Sequence, residues 1–211
     1  MLRSVFGATR SFSSTSLSRA TMVSTTGAGS RTIRFGPFEV TKQVFLTTPH
    51  SFALVNLKPL VPGHVLVCPL RQHLRLTDLC PAETADLFGA VQLTQKMLAK
   101  RYFPDPEHLL SGSFTIAIQD GPDSGQTVPH VHVHVIPRRA NDVGENPDVI
   151  YTKMASEDGN VGGALWDRER RPAPGGAMPP IEDHDRNART AEDMEDEAEQ
   201  YREALKQMGS V

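Results

Sequence analysis

The sequence predicts an α+β fold: an antiparallel sheet backed by one long helix, with a second helix near the carboxyl end. Two observations predict the sheet. Three short β-rich runs bounded by Pro or Gly follow one another from Gln43 to Leu70, and His alternates strictly with Val from His130 to Ile136. A third observation predicts the helices, because apolar residues recur at helical spacing over Pro81–Tyr102 and again from Thr190.

Apolar alternation begins near Ile33 and Phe35 and meets a turn signal at Gly36-Pro37. Strands are expected over Gln43–Thr47, Ser51–Leu57 and His64–Leu70, joined by Thr48-Pro49-His50 and by Lys58-Pro59-Leu60-Val61-Pro62-Gly63. Such connections make a meander. Successive strand residues point to opposite faces, so Phe52, Leu54 and Asn56 form one row and His64, Leu66 and Cys68 another. A polar residue ends each row near the same loop. Pro81 suits the first position of a helix, where its missing N–H is no loss, and Glu83 suits the positive end of the helix dipole. Leu87, Val91, Leu98 and Tyr102 form one stripe with Phe88 beside it, which should pack on the sheet. Phe103-Pro104-Asp105-Pro106 stops the helix, since proline biases the residue before it away from helical angles. Ser113–Gln119 alternates again, and a loop from Asp120 to Thr127 leads into the histidine strand.

The amino-terminal segment carries an address. Up to Phe38 there is no Asp or Glu, while Arg3, Arg10, Arg19, Arg31 and Arg34 are interspersed with Ser, Thr and Ala. That composition is typical of a mitochondrial presequence, expected over residues 1–30, and Arg10-Ser11-Phe12-Ser13-Ser14 resembles a matrix-protease site. Met22 offers a second start, so mitochondrial, cytoplasmic and nuclear forms are all open. One domain is expected over 31–153, and the Gly-, Pro- and charge-rich stretch 154–189 reads as a disordered linker that cannot bury enough apolar surface to offset ordering. A helix over 190–209 carries Ala191, Met194, Ala198, Tyr201, Leu205 and Met208 on one side and acids on the other, either solvated or docked on the domain or a protein partner. Tyr151, at the domain edge, is a candidate for modification. The net charge of −3 gives no footprint for duplex nucleic acid, and no stretch approaches the roughly 20 apolar residues that cross a bilayer. Cys68 and Cys80, the only cysteines, are too few for a disulfide framework and fit a reducing compartment.

His130, His132 and His134 should share a face, with Val131, Val133 and Val135 on the other. Each buried imidazole costs desolvation unless it is partnered, so three in register point to a site. Cα atoms two apart on a strand lie about 6.6 Å apart, which lets two of these rings reach one zinc ion but hardly three. His64 is the other candidate ligand, and spacing alone leaves metal binding and non-metal catalysis both open. The loop just before the row favours the second: Gly121 and Gly125 allow close backbone approach, and Gln126 and Thr127 add donors for an anion such as phosphate.

The run His130-Val131-His132-Val133-His134-Val135-Ile136 resembles the motif of the histidine triad superfamily of nucleotide hydrolases and transferases. More narrowly, Ser51–Asn56, Val61–Leu70, Gln119–Pro122 and Gly125–Val128 resemble the fragile-histidine-triad branch, the dinucleoside triphosphate hydrolases. Pro129 departs from that branch, which has a basic residue there. The resemblance implies a five-stranded antiparallel sheet in a dimeric protein. It implies that His132 attacks the α-phosphorus of diadenosine triphosphate, giving AMP and ADP by way of a nucleotidyl-histidine. His134 and Gln119 would contact the α-phosphate, and Gln126 with the Gly125–Val128 backbone, Thr127 included, the other phosphates. His130 and His64 would supply the hydrogen-bond network, Asn56 would bind ribose, and Phe35, Leu54 and Leu66 would wall the base pocket. No organic cofactor is expected. A divalent cation, Mg or Mn, would arrive on the substrate phosphates rather than in a protein cage. An adenosine phosphoramidase and a nucleotide-sensing adaptor acting through its bound complex stay open as alternatives.

Overall fold

The structure, a computed structural model, describes residues 32–155 and 189–209. The presequence expected over 1–30 and most of the linker expected over 154–189 lie outside the described residues. A two-stranded ribbon, β1 (Arg34–Phe35) and β2 (Phe38–Glu39), precedes a five-stranded antiparallel sheet. Its strands are β3 (Val44–Thr47), β4 (Ser51–Val55), β5 (Val65–Pro69), β6 (Ser113–Ala117) and β7 (Val133–Arg138), in the spatial order β3-β4-β5-β7-β6. The histidine segment therefore enters the sheet between β5 and β6. Three helices complete the fold: α1 (Pro81–Tyr102), with the predicted bounds, α2 (Val149–Ala155) and α3 (Ala191–Gln207).

The sheet is covered on both faces, and every residue of β4 and β5 is buried. On one face Ala53, Val55, Val65, Val67, Val133 and Val135 pack against Leu87, Val91 and Leu98 of α1 and against Met194, Ala198, Tyr201 and Leu205 of α3. Burying each large aliphatic side chain is worth about 1.5–3 kcal/mol, which fixes the register because a one-residue slip would turn the valine row outward. On the other face Phe52, Leu54, Leu66 and Cys68 pack with Phe35 of the ribbon and with Val128. The His/Val alternation thus sorts valines to the helices and imidazoles to the ribbon side. In β3 the register slips between Val44 and Leu46, so Phe45 is an extra residue and both Phe45 and Leu46 meet the helix layer.

Helix α3 docks on the chain's own domain. The Arg202 guanidinium donates to the carbonyls of Val44 and Lys42, the Tyr201 and Tyr102 hydroxyls lie 2.7 Å apart, and Arg189 N–H reaches the Leu57 carbonyl at 3.1 Å. Its apolar face is therefore occupied, and only its acidic face is left for a partner.

Three features depart from the sequence reading. The strand begins at Val133 rather than His130, because Val131 N–H bonds to the His73 carbonyl at 2.8 Å instead of joining a ladder. Helix α2 was not foreseen. It is short, and the pair Ile150 and Met154 packs on Leu60, Val61 and Ile136. Phe88 stays 39% exposed on α1 while Leu87 beside it is fully buried.

Candidate active site

The lead-in to β7 is held by its own side chains. His130 Nε2 lies 2.8 Å from the Pro69 carbonyl, and its Nδ1 accepts the Gly36 N–H at 3.0 Å. His132 Nδ1 lies 2.8 Å from the His130 carbonyl. A carbonyl only accepts, so these contacts assign the protons: Nε2–H on His130 and Nδ1–H on His132. The lone pair of His132 is left on Nε2.

A second chain of bonds reaches His134 from the opposite side. Leu60 N–H donates to His64 Nδ1 at 3.1 Å, so His64 carries its proton on Nε2 and gives it to His134 Nδ1 at 2.9 Å. His134 is thereby left with Nε2–H. That nitrogen is buried and has no hydrogen-bond partner among the described residues. A buried donor left unmade costs about 1–3 kcal/mol, which an anionic oxygen on a ligand would recover. Asn56 braces the chain: its Nδ2 lies 3.4 Å from His64 Nδ1, the accepting nitrogen, and its Oδ1 accepts Lys58 N–H at 3.1 Å.

Burial keeps all three triad rings neutral. It drives His130 down to about 4, against the bond to Pro69, lowers His132, and lowers His134 well below the usual imidazole range, with His132 and His64 adding to the last. A neutral imidazole with one nitrogen tied down is a nucleophile at the other. His130 has no lone pair left for a metal, since one nitrogen donates and the other already accepts.

Phe35 stands perpendicular to the His132 ring with centroids 5.3 Å apart, and it tilts against His130 at 5.6 Å. Leu54 pairs with Leu66 across β4 and β5, and Leu66 pairs with His134 across β5 and β7. With Val128 these residues form an apolar wall beside the imidazoles. Gly36 is required where the ribbon turns: its φ is +56° and a Cβ there would meet Val128 Cγ1 at 2.7 Å.

The loop residues are placed differently from the sequence reading. The Ser124, Gly125 and Gln126 N–H groups bond within the loop, to the Gly121, Pro122 and Gly121 carbonyls. Only the later part of the Gly125–Val128 backbone can therefore face an anion. The Gln126 side chain donates to the Leu74 carbonyl at 3.2 Å, Thr127 is buried, and Val128 belongs to the apolar wall. Gln119 lies two residues past Ala117, which pairs with His134; its amide donates to the Met154 carbonyl at 3.2 Å and abuts Gly125. The structure thus joins His64, His130, His132, His134, Asn56, Phe35, Leu54 and Leu66 in one contact network. Gln119 and Gly125 touch each other next to it, and Gln126 is turned toward Leu74.

A family model described as the HIT domain matches residues 37–141. A Schizosaccharomyces pombe protein named bis(5'-nucleosyl)-tetraphosphatase (asymmetrical) is 44% identical over 172 residues, covering 78% of this chain and 90% of its own length. The chain belongs to the HIT domain family. A Saccharomyces cerevisiae bis(5'-adenosyl)-triphosphatase is 47% identical over 141 residues, 66% of this chain and 63% of that protein. Among solved structures, the Plasmodium falciparum diadenosine triphosphate hydrolase in complex with cyclomarin A is 27% identical, with a TM-score of 0.58 over 85% of this chain and 88% of that one. The Caenorhabditis elegans NitFhit structure is 36% identical, with a TM-score of 0.57 over 84% of this chain and 31% of that one.

This HIT domain also uses residues that sequence reasoning missed. The His73 carbonyl and the Gln72 side chain hold the triad lead-in at Val131 and Pro129. Glu83 holds His73. A His between Arg71 and Arg75 has no periodic signature, and Glu83 looked only like a favourable first-turn acid.

Proposed function

We propose that the chain is a hydrolase of dinucleoside polyphosphates that cleaves diadenosine triphosphate to AMP and ADP through a nucleotidyl group carried on His132. The observation that carries this reading is the pair of assigned tautomers: a bare Nε2 on His132 beside an unpartnered Nε2–H on His134. The names of the relatives supply the substrate class. His132 Nε2 attacks the α-phosphorus, a P–N bond forms, and the P–O bond to ADP breaks with its electron pair leaving on ADP. The cation of the nucleotidyl-histidine rests on Nδ1–H, which the His130 carbonyl accepts. Water then adds to phosphorus and gives its proton to solvent, and the P–N electrons return to Nε2 as AMP leaves. His134 Nε2–H donates to the α-phosphate oxygen as charge builds there, a contribution on the order of 10²–10³ in rate.

The remaining roles follow the same reading. Asn56 binds ribose, the Phe35, Leu54 and Leu66 wall takes the base, and Gln119 with Gly125, Gln126, Thr127 and Val128 lines the phosphate chain. Mg or Mn enters on the substrate phosphates and offsets their charge, which the neutral imidazoles do not. Two copies pair through the edge strand β6 and α1, where Ile116 and Phe88 are exposed. The acidic face of α3 remains a surface for a protein partner, and the segment before residue 31 directs a fraction of the protein to mitochondria, with a cytoplasmic and nuclear form starting at Met22.

Rapid-quench intact-protein mass spectrometry tests the reading. With diadenosine triphosphate, wild type gains one adenylyl group and His132→Ala gains none; turnover by His132→Ala, or wild-type turnover without an adduct, overturns it. Specificity constants for diadenosine triphosphate, diadenosine tetraphosphate and adenosine phosphoramidate in the same assay rank the leaving groups, with the triphosphate first.

A further inference from the structure

The peptide unit between His130 and Val131 is held at both ends. Its C=O accepts His132 Nδ1–H at 2.8 Å, and its N–H donates to the His73 carbonyl at 2.8 Å. Hydrogen bonds in such a chain polarise one another, so a bond at the N–H makes the C=O of the same unit a better acceptor. The lead-in lies outside the sheet ladder, which makes its orientation depend on ties of this kind.

His73 is fixed in turn. Its Nε2 donates to Glu83 Oε1 at 3.1 Å, and Arg71 donates to the same oxygen at 3.1 Å. The other oxygen, Oε2, accepts Cys80 N–H at 3.0 Å, and the Glu83 side chain is only 4% exposed. The Cys80 bond foremost, then His73, holds the Glu83 carboxyl down to about 2, so it is ionised throughout the working range. Capping of α1 accounts for Oε2. It does not account for Oε1, which accepts from the His73 ring and from Arg71.

We propose that Glu83 and His73 are positioning residues for His132: the carboxylate fixes the His73 ring, hence the His73 carbonyl, and that carbonyl sets the His130–Val131 peptide plane on which the nucleophile is oriented. Helix α1 and the reacting nitrogen are thereby linked through four hydrogen-bonded groups. The inference rests on the reading of His132 as nucleophile.

Glu83→Gln separates the two duties, because a glutamine oxygen still caps Cys80 N–H while its amide NH₂ cannot accept from His73. The expected result is a folded protein with KM within about twofold of wild type and adduct formation about tenfold slower, the scale of loss that follows small misplacement of a reacting group. The Val131 N–H and His132 Nδ1–H proton resonances move upfield. His73→Ala gives the same pattern, and the double variant is no slower than either single one. Glu83→Ala loses the cap as well and is less stable, yet no slower than Glu83→Gln. Unmoved resonances with a wild-type rate in Glu83→Gln overturn the proposal and leave Glu83 a cap alone. A wild type that forms no adduct counts instead against the hydrolase reading, and the resonances still decide the positioning role.

Discussion

The His132 imidazole takes its orientation from the main chain of His130, whose carbonyl oxygen lies 2.8 Å from Nδ1. A side chain at position 130 is not needed to set that tautomer. The His130 ring has a separate task, bridging the β1–β2 turn at Gly36 to the end of β5 at Pro69.

His130→Ala therefore slows adduct formation without abolishing it, unlike His132→Ala. It also leaves Pro69 C=O and Gly36 N–H without a partner in a buried site, which lowers stability by roughly 1–3 kcal/mol. Parallel denaturant titrations and quench assays on the two variants check both parts.

Acid weakens the fold through these rings. His130 is driven from 6.5 to about 4 in the folded protein, and His132 and His134 shift the same way. Below pH 6.5 the unfolded chain binds protons that the folded chain refuses, so stability is full above that pH and falls as pH drops toward 4. His130 alone accounts for roughly 3 kcal/mol across that window at about 1.4 kcal/mol per unit. Urea unfolding at pH 7, 6 and 5 measures the slope, and His130→Asn should flatten it. Because His132 stays neutral below its usual pKa, the acid limb of adduct formation lies below pH 6.5.

Gly36→Ala places a Cβ against Val128 and holds an alanine at a φ of +56°. A left-handed non-glycine costs about 1–2 kcal/mol before the contact is counted. The ribbon carries Phe35, so the variant should raise KM severalfold as well as lower the unfolding midpoint, and steady-state kinetics beside thermal melts separate the two.

Leu205→Ala is expected to cost about 2–5 kcal/mol, as for any large-to-small change in a close-packed core. Deleting residues 190–211 uncovers the helix-side surface of β3 and β4, including Phe45 and Leu46, and should give a protein that melts earlier and aggregates. Light scattering during a thermal ramp shows this directly. A truncated chain with an unchanged melt would mean that α3 belongs to a partner interface instead.

Much of this could be read from residue types. Pro81 and Phe103-Pro104 fix both ends of α1, and the alternation of His and Val assigns two faces because its period is two. The rows Phe52-Leu54-Asn56 and His64-Leu66-Cys68 meet as expected, down to the contact of Asn56 with His64. What was not legible depends on bonds between distant segments. The strand starts late because Val131 finds the carbonyl of His73, 58 positions away by subtraction of the two numbers. Gln126 turns aside because Leu74 offers it an acceptor. The extra residue Phe45 leaves no mark in a run of apolar residues, and Glu83 reads as an ordinary first-turn acid until His73 is seen beside it.

The bonds from Arg202 to the carbonyl of Val44 join residues 158 positions apart. On a ribosome adding about 5–20 residues per second, β3 is made roughly 8–30 s before the helix that completes its core. For that interval the helix-side surface of β3 and β4 stays open to chaperones. A nascent chain that stalls in the stretch before α3 leaves that surface uncovered, so the folding of β3 waits on a residue made 158 positions later.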